Sequence, residues 1–152
     1  MIKTKNDLRR VLMLEKKGYF KNKKKYVEAF LVADKDWYIY KFQKQLRLSE
    51  YYYNNKTSSF LNKLLYAYHR RKKNILGMKL GIEIWENSFA EGLRIWHAGD
   101  IVVNGYAKIG KNCQLKGNNC IGNSGKSLGA PIIGDDFSLG NGGKIIGEIT
   151  IG

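Results

Sequence analysis

Stepping by six from Val103 meets Ile109, Leu115, Ile121, Ser127, Ile133, Leu139, Ile145 and Ile151. Every one of these positions except Ser127 is aliphatic. The residue after each is glycine at Gly110, Gly122, Gly134, Gly140 and Gly152. A helix repeats every 3.6 residues and a strand every 2, and neither puts glycine at each sixth place. A chain that bends after every short strand does. Each six-residue unit then forms one side of a three-sided coil, with its aliphatic residue inward and its glycine at the corner. Three units close a coil, and coils stack at about 4.8 Å through parallel strand pairing. One coil cannot bury its own aliphatic residues, so the stack makes the core. The miss at Ser127-Leu128, inside "SGKSLGAP", predicts one loop that leaves the coil.

Charge divides the chain near Gly77–Gly81, ahead of this period. Residues 1–80 hold 21 Lys and Arg against 6 Asp and Glu, whereas residues 81–152 hold 6 against 7. The expected fold class is therefore α+β, with a basic helical region over 1–77 followed by a parallel β-helix over 78–152. In the first region, Thr4 and Asp7 form a capping-box-like start. Leu8, Val11 and Leu12 follow on one face, and Gly18 is the expected stop. "KNKKKYVEAFLVADKD" reads as a loop and a short helix. Asp34 or Asp36 can cap the next helix, in which Tyr38, Phe42 and Leu46 recur at i+4. Ser58 or Ser59 can cap the last helix, with Phe60, Leu61, Leu64, Leu65 and Tyr68 as its apolar stripe and Gly77 as its end.

Three uses are open for the basic helices: solvated faces, contact with an anionic membrane surface, or nucleic-acid binding with help from Tyr51–Tyr53. No nucleic-acid motif accompanies the charge, which ranks that partner last. His69 lies in the run His69–Lys73 and reads as a structural or solvated residue. The opening "MIKTKNDLRR" lacks the apolar core of a signal peptide. The longest aliphatic run, "AFLVA", is far short of the roughly 20 residues of a membrane span. A cytoplasmic protein, with peripheral membrane contact as an option, is expected. Cys113 and Cys120 are too few for a disulfide scaffold, and no metal site is expected from them.

The stretches "KKNILGMKLGIEI", "HAGDIVVNGYAKIGKNC" and "PIIGDDFSLGNGGKIIGEITIG" resemble the serine acetyltransferase-like branch of the hexapeptide-repeat acyltransferase family. The resemblance covers roughly residues 72–152. It implies a left-handed coil, a homotrimer with sites between neighbouring prisms, and transfer of an acetyl group from acetyl-CoA to an alcohol. Several members of that branch serve capsule or exopolysaccharide assembly. His97 falls where the family places its catalytic histidine. An alcohol is a poor nucleophile at neutral pH, and an imidazole can take its proton as it attacks the thioester. The alternative for His97 is a packed, hydrogen-bonded corner residue. Glu83 of "GIEIW" matches the acid that orients the family's base, although its spacing to His97 is one residue shorter; Asp100 is nearer in sequence. Either acid could instead make a surface ion pair.

For acetyl-CoA, the matching stretches are "NSGK" and "GNGGK". Gly125 and Gly143 would permit close backbone approach, and Lys126 and Lys144 would meet phosphates, with plain solvation as the alternative. Serine acetyltransferases carry an Arg-His pair where this chain has Gly129-Ala130, and an acid where it has Trp96. Losing those partners disfavours serine as acceptor. Trp96 offers a flat face for a sugar ring, or packs against the helical half, and Asp100 is a second candidate contact for the acceptor. The expected reaction is thus O-acetylation of a saccharide hydroxyl. Serine O-acetylation and a non-catalytic trimeric β-helix that docks a partner or membrane are the alternatives. The chain stops as a repeat opens, so a truncated column is expected, with core and strand edges exposed at that end.

Overall fold

Thr4 starts α1 (Lys5–Tyr19). Its hydroxyl accepts from the Asp7 N–H at 3.0 Å, and the Asp7 carboxylate accepts from the Thr4 N–H at 2.9 Å. These bonds, the one from the Thr4 backbone foremost, hold the Asp7 carboxyl below its ordinary pKa. The computed structural model describes residues 1–152 and divides into two compact units, Met1–Lys79 and Leu80–Gly152. Gly18 does not stop α1. It keeps a right-handed backbone, and a glycine ends a helix by turning left-handed. Two residues on, the Phe20 ring enters an aromatic core with Ala29 and Tyr40, flanked by Tyr19, Tyr26 and Trp37. Phe20 meets Tyr26 and Tyr40 edge-on, with centroids 5.2 and 5.7 Å apart. Burial, then the nearby Tyr26 and Glu15, push the Tyr40 hydroxyl up to about 12.

Asn22 caps α2 (Lys23–Leu31), and Asp34, not Asp36, caps α3 (Lys35–Asn54). The buried stripe of α3 starts one residue later than its sequence suggests. Ile39, Phe42, Gln43, Leu46, Arg47 and Glu50 face inward, and Tyr38 is exposed. Arg47 sits fully buried between two carboxylates. Its Nη2 donates to Glu15 at 2.7 Å and its Nη1 to Glu50 at 2.8 Å. Desolvation opposes the Arg47 charge, but Glu15 and then Glu50 outweigh it, and the guanidinium pKa is raised.

The last helix, α4 (Phe60–Leu80), corrects the sequence reading twice. Gly77 lies inside it, and the helix runs on to Leu80, where Gly81 takes φ 64°. The aliphatic stripe is turned outward, with Phe60 75% exposed and Leu61 and Leu64 also exposed. Asn62, Tyr66, His69 and Lys73 mark the face that is used instead. Asn62 donates to the Asn55 carbonyl, Tyr66 meets Tyr53, and His69 bonds Gln45 at 2.8 Å and stacks flat on Tyr52. These contacts are polar and aromatic, so hydropathy periodicity does not register them. His69 is structural, not solvated. Desolvation, then Lys72 and Lys44, lower its pKa.

The second unit is a parallel β-helix of about four turns. Its strands are β1 (Ile82–Ile84), β2 (Arg94–Ile95), β3 (Ile101–Val103), β4 (Lys108–Ile109), β5 (Gln114–Leu115), β6 (Cys120–Gly122), β7 (Ile132–Ile133), β8 (Ser138–Leu139), β9 (Lys144–Ile146) and β10 (Thr150–Ile151). They form three all-parallel sheets, ordered β1-β3-β6-β9, β4-β7-β10 and β2-β5-β8. The predicted positions stack in register: Val103 over Ile121 over Ile145, Ile109 over Ile133 over Ile151, and Leu115 over Leu139. Most are almost wholly buried.

Val103 and Ile121 are 18 residues apart, one coil, while Ile121 and Ile145 are 24 apart. The six extra residues form the predicted loop around Ser127, and being six they leave the phase intact. Gly110 is required by close approach, because a Cβ there would fall 2.5 Å from the Gly134 carbonyl oxygen one coil below.

Candidate active site

The first coil departs from the six-residue step. Its inward residues are Ile84, Phe89 and Ile95, followed by Val103 in the next coil. The final interval, Ile95 to Val103, is eight residues where the coil below uses six, Leu115 to Ile121. Two surplus residues therefore widen the corner between β2 and β3, and His97 sits in that bulge. Gly99 at φ 106° and Asp100 at φ 48° turn the chain back into β3. His97 and Ala98 are exposed.

The corner beneath is rigid. Gly117 takes φ 111°, and a Cβ there would come within 3.2 Å of the His97 Cβ, so only glycine leaves that space clear. Asn119 is fully buried behind it. Its Oδ1 accepts from the Gly117 N–H at 3.0 Å, and its Nδ2 donates to the Gly140 carbonyl at 2.6 Å. This side chain ties two successive corners together, and a fully satisfied buried amide of this kind fixes local geometry.

Trp96 is 38% exposed beside His97. Its indole Nε1 donates to Gln114 Oε1 at 2.9 Å. The Arg94 guanidinium and the Lys116 ammonium lie 4.8 and 4.5 Å from its ring centroid. Both are within cation–π range. Arg94, Gln114 and Lys116 were not singled out by the sequence. Their signal is positional: they take outward places on either side of Ile95 and Leu115, which pair across one coil.

The two candidate acids part company. Glu83 points outward from β1, where its carboxylate accepts from the Trp85 indole at 3.3 Å. Asp100 shares the bulge with His97 and is exposed. Neither carboxylate bonds the imidazole within the single chain. Glu83, Val102, Cys120 and Lys144 form one outward column down the four-stranded sheet. Lys144 thus opens β9 on the same prism edge as His97, about two coils or 10 Å below it. Gly143 precedes it, and a Cβ there would fall 2.6 Å from Leu139 Cδ1, so this glycine serves corner packing. Gly125 and Lys126 lie at the opposite edge of that sheet, in the exposed loop after β6, with open space around Gly125.

Cys113 is buried, and desolvation raises its thiol pKa; Cys120 is partly buried, and both are free thiols. No group of three or more His, Cys, Asp or Glu side chains is placed to hold a metal ion. No helix is long and apolar enough to cross a membrane. No protein-family model matches the chain, and no curated protein or solved structure matches it significantly.

Proposed function

We propose that the protein is an acetyl-CoA-dependent O-acetyltransferase that modifies a saccharide hydroxyl, with His97 as general base. The observation that carries this reading is the exposed imidazole on a corner widened by two residues, beside an indole fixed by Gln114, Arg94 and Lys116. An exposed histidine on such a corner can meet an acceptor directly, which is what positioned proton transfer needs.

In the proposed step the acceptor oxygen attacks the thioester carbon while its proton passes to the imidazole. The tetrahedral intermediate collapses with cleavage of the C–S bond, and the departing CoA sulfur takes a proton back from the imidazolium. No covalent enzyme intermediate is required, because a thiolate leaves readily. Lys144, on the His97 edge, fits the role of a phosphate contact for CoA better than Lys126, which lies across the sheet. Trp96 and its cations would orient the sugar, and Asp100 would meet a second hydroxyl. In a homotrimer, as the family resemblance implies, the neighbouring prism would close the cleft and could supply the carboxylate that orients His97.

Incubation with acetyl-CoA and a panel of saccharides and serine, read by mass spectrometry of the acceptor, tests the proposal. Acetylated saccharide is the expected product. Acetylserine would move the assignment to the amino-acid branch, and no acetylated acceptor of either kind would refute it.

A further inference from the structure

One face of α2 is turned into the aromatic core through Tyr26 and Ala29. The other face, with Lys23, Lys24, Val27, Glu28, Leu31 and Val32, is open to solvent. Lys23, Val27 and Leu31 are four residues apart and lie along one line of the helix. At its end, Leu31 is 74% and Val32 69% exposed. They do not belong to a loose tail. The Asp34 N–H bonds the Ala29 carbonyl at 2.9 Å and the Val32 N–H bonds that of Glu28 at 3.0 Å, and Ala33 at φ 53° turns the chain sharply into α3. The start of the same helix carries Lys23, Lys24 and Lys25, with Lys21 just before; Lys25 is paired to Glu28 at 2.9 Å.

We propose that this end of α2 is a docking surface for an anionic lipid bilayer. Leu31 and Val32 enter the boundary between headgroups and acyl chains, Val27 lies at that boundary, and Lys23 and Lys24 reach the headgroup phosphates and carboxylates. Lys23 and Leu31 are about 12 Å apart along the helix axis. Interfacial helices bury their apolar face by about 5–10 Å, so a tilted α2 can wet its cations while its tip is buried. Long lysine side chains extend that reach. Residues 1–80, with 21 basic against 6 acidic side chains, supply the complementary field. Nucleic acid would satisfy the lysines and leave Leu31 and Val32 without a partner, which is why a bilayer is preferred. This surface is independent of the acetyl-transfer reaction.

Sedimentation of the full chain with vesicles of phosphatidylcholine, alone or mixed with phosphatidylserine, is the test. Binding is expected only with phosphatidylserine and is expected to weaken as salt rises. Leu31→Glu with Val32→Glu should weaken it at least about tenfold while the helical circular-dichroism signal is kept, since both sites are exposed. Lys23→Gln and Lys24→Gln should each cost roughly fivefold, independently of that pair. The proposal fails if both vesicle types bind equally or neither binds. It also fails if the Leu31/Val32 variant binds as well as the parent, or if the protein retains duplex DNA without binding vesicles.

Discussion

At the centre of the β-helix, Ile95, Leu115 and Leu139 lie one above another in register. At the centre of the helical unit stands Arg47, buried between Glu15 and Glu50. The first core is a sum of similar aliphatic contacts, each made mainly with the coil above and the coil below. The second is built on buried charges, with Arg47 bonded to both carboxylates. The two units should therefore fail differently: the β-helix by degrees, the helical unit all at once.

The sharpest contrast comes from Arg47→Met. It removes the guanidinium that both buried carboxylates bond and should cost about 3–5 kcal/mol in urea unfolding read by helix ellipticity. Replacing Glu15 and Glu50 by apolar residues in the same chain should restore much of the loss. If Arg47→Met alone is neutral, the helical core does not depend on its ion pairs. Next is Leu115→Ala, which opens a cavity between two coils and should cost roughly 2–4 kcal/mol. A cost near zero would mean that the coils do not stack as described.

Gly117→Ala is smaller, about 1–3 kcal/mol from a side chain at strained positive φ. Because that Cβ would press on His97, acetyl transfer should fall by more than the stability loss explains. The least effect is one of pH. The His69 pKa is lowered in the fold, so as pH drops below about 6.5 the unfolded chain takes up the proton first. Stability of the helical unit should decline from there toward acid and be unaffected above it. His69→Gln should flatten that slope, and an unchanged slope would assign the acid sensitivity elsewhere.

This contrast also explains what could be read from the sequence. A repeating solution leaves a repeating pattern, so Val103 to Ile151 disclosed the coil and even the loop at Ser127. The first coil was hidden because its inward steps run five, six and eight residues, and those irregular steps create the His97 corner. Capping at Thr4 was legible because it depends on adjacent residues, whereas for α3 the same reasoning left Asp34 and Asp36 both open. The buried face of α4 was not legible, because Asn62, Tyr66 and His69 pack through hydrogen bonds and rings instead of hydrocarbon. At the site, His97 and Trp96 stood out by position. Arg94, Gln114 and Lys116 did not, since their meeting depends on a register one coil away. The separation of Lys126 from Lys144 across the sheet likewise needed the coil geometry.

The proposed reaction requires the widened corner to present His97 as a working base. The most direct measurement is thiol release from acetyl-CoA with an accepted saccharide, compared between the parent protein and His97→Ala at matched denaturation midpoints. Turnover should fall by roughly 10²–10⁴ in the variant. Turnover equal to the parent's would remove His97 from the proposed reaction.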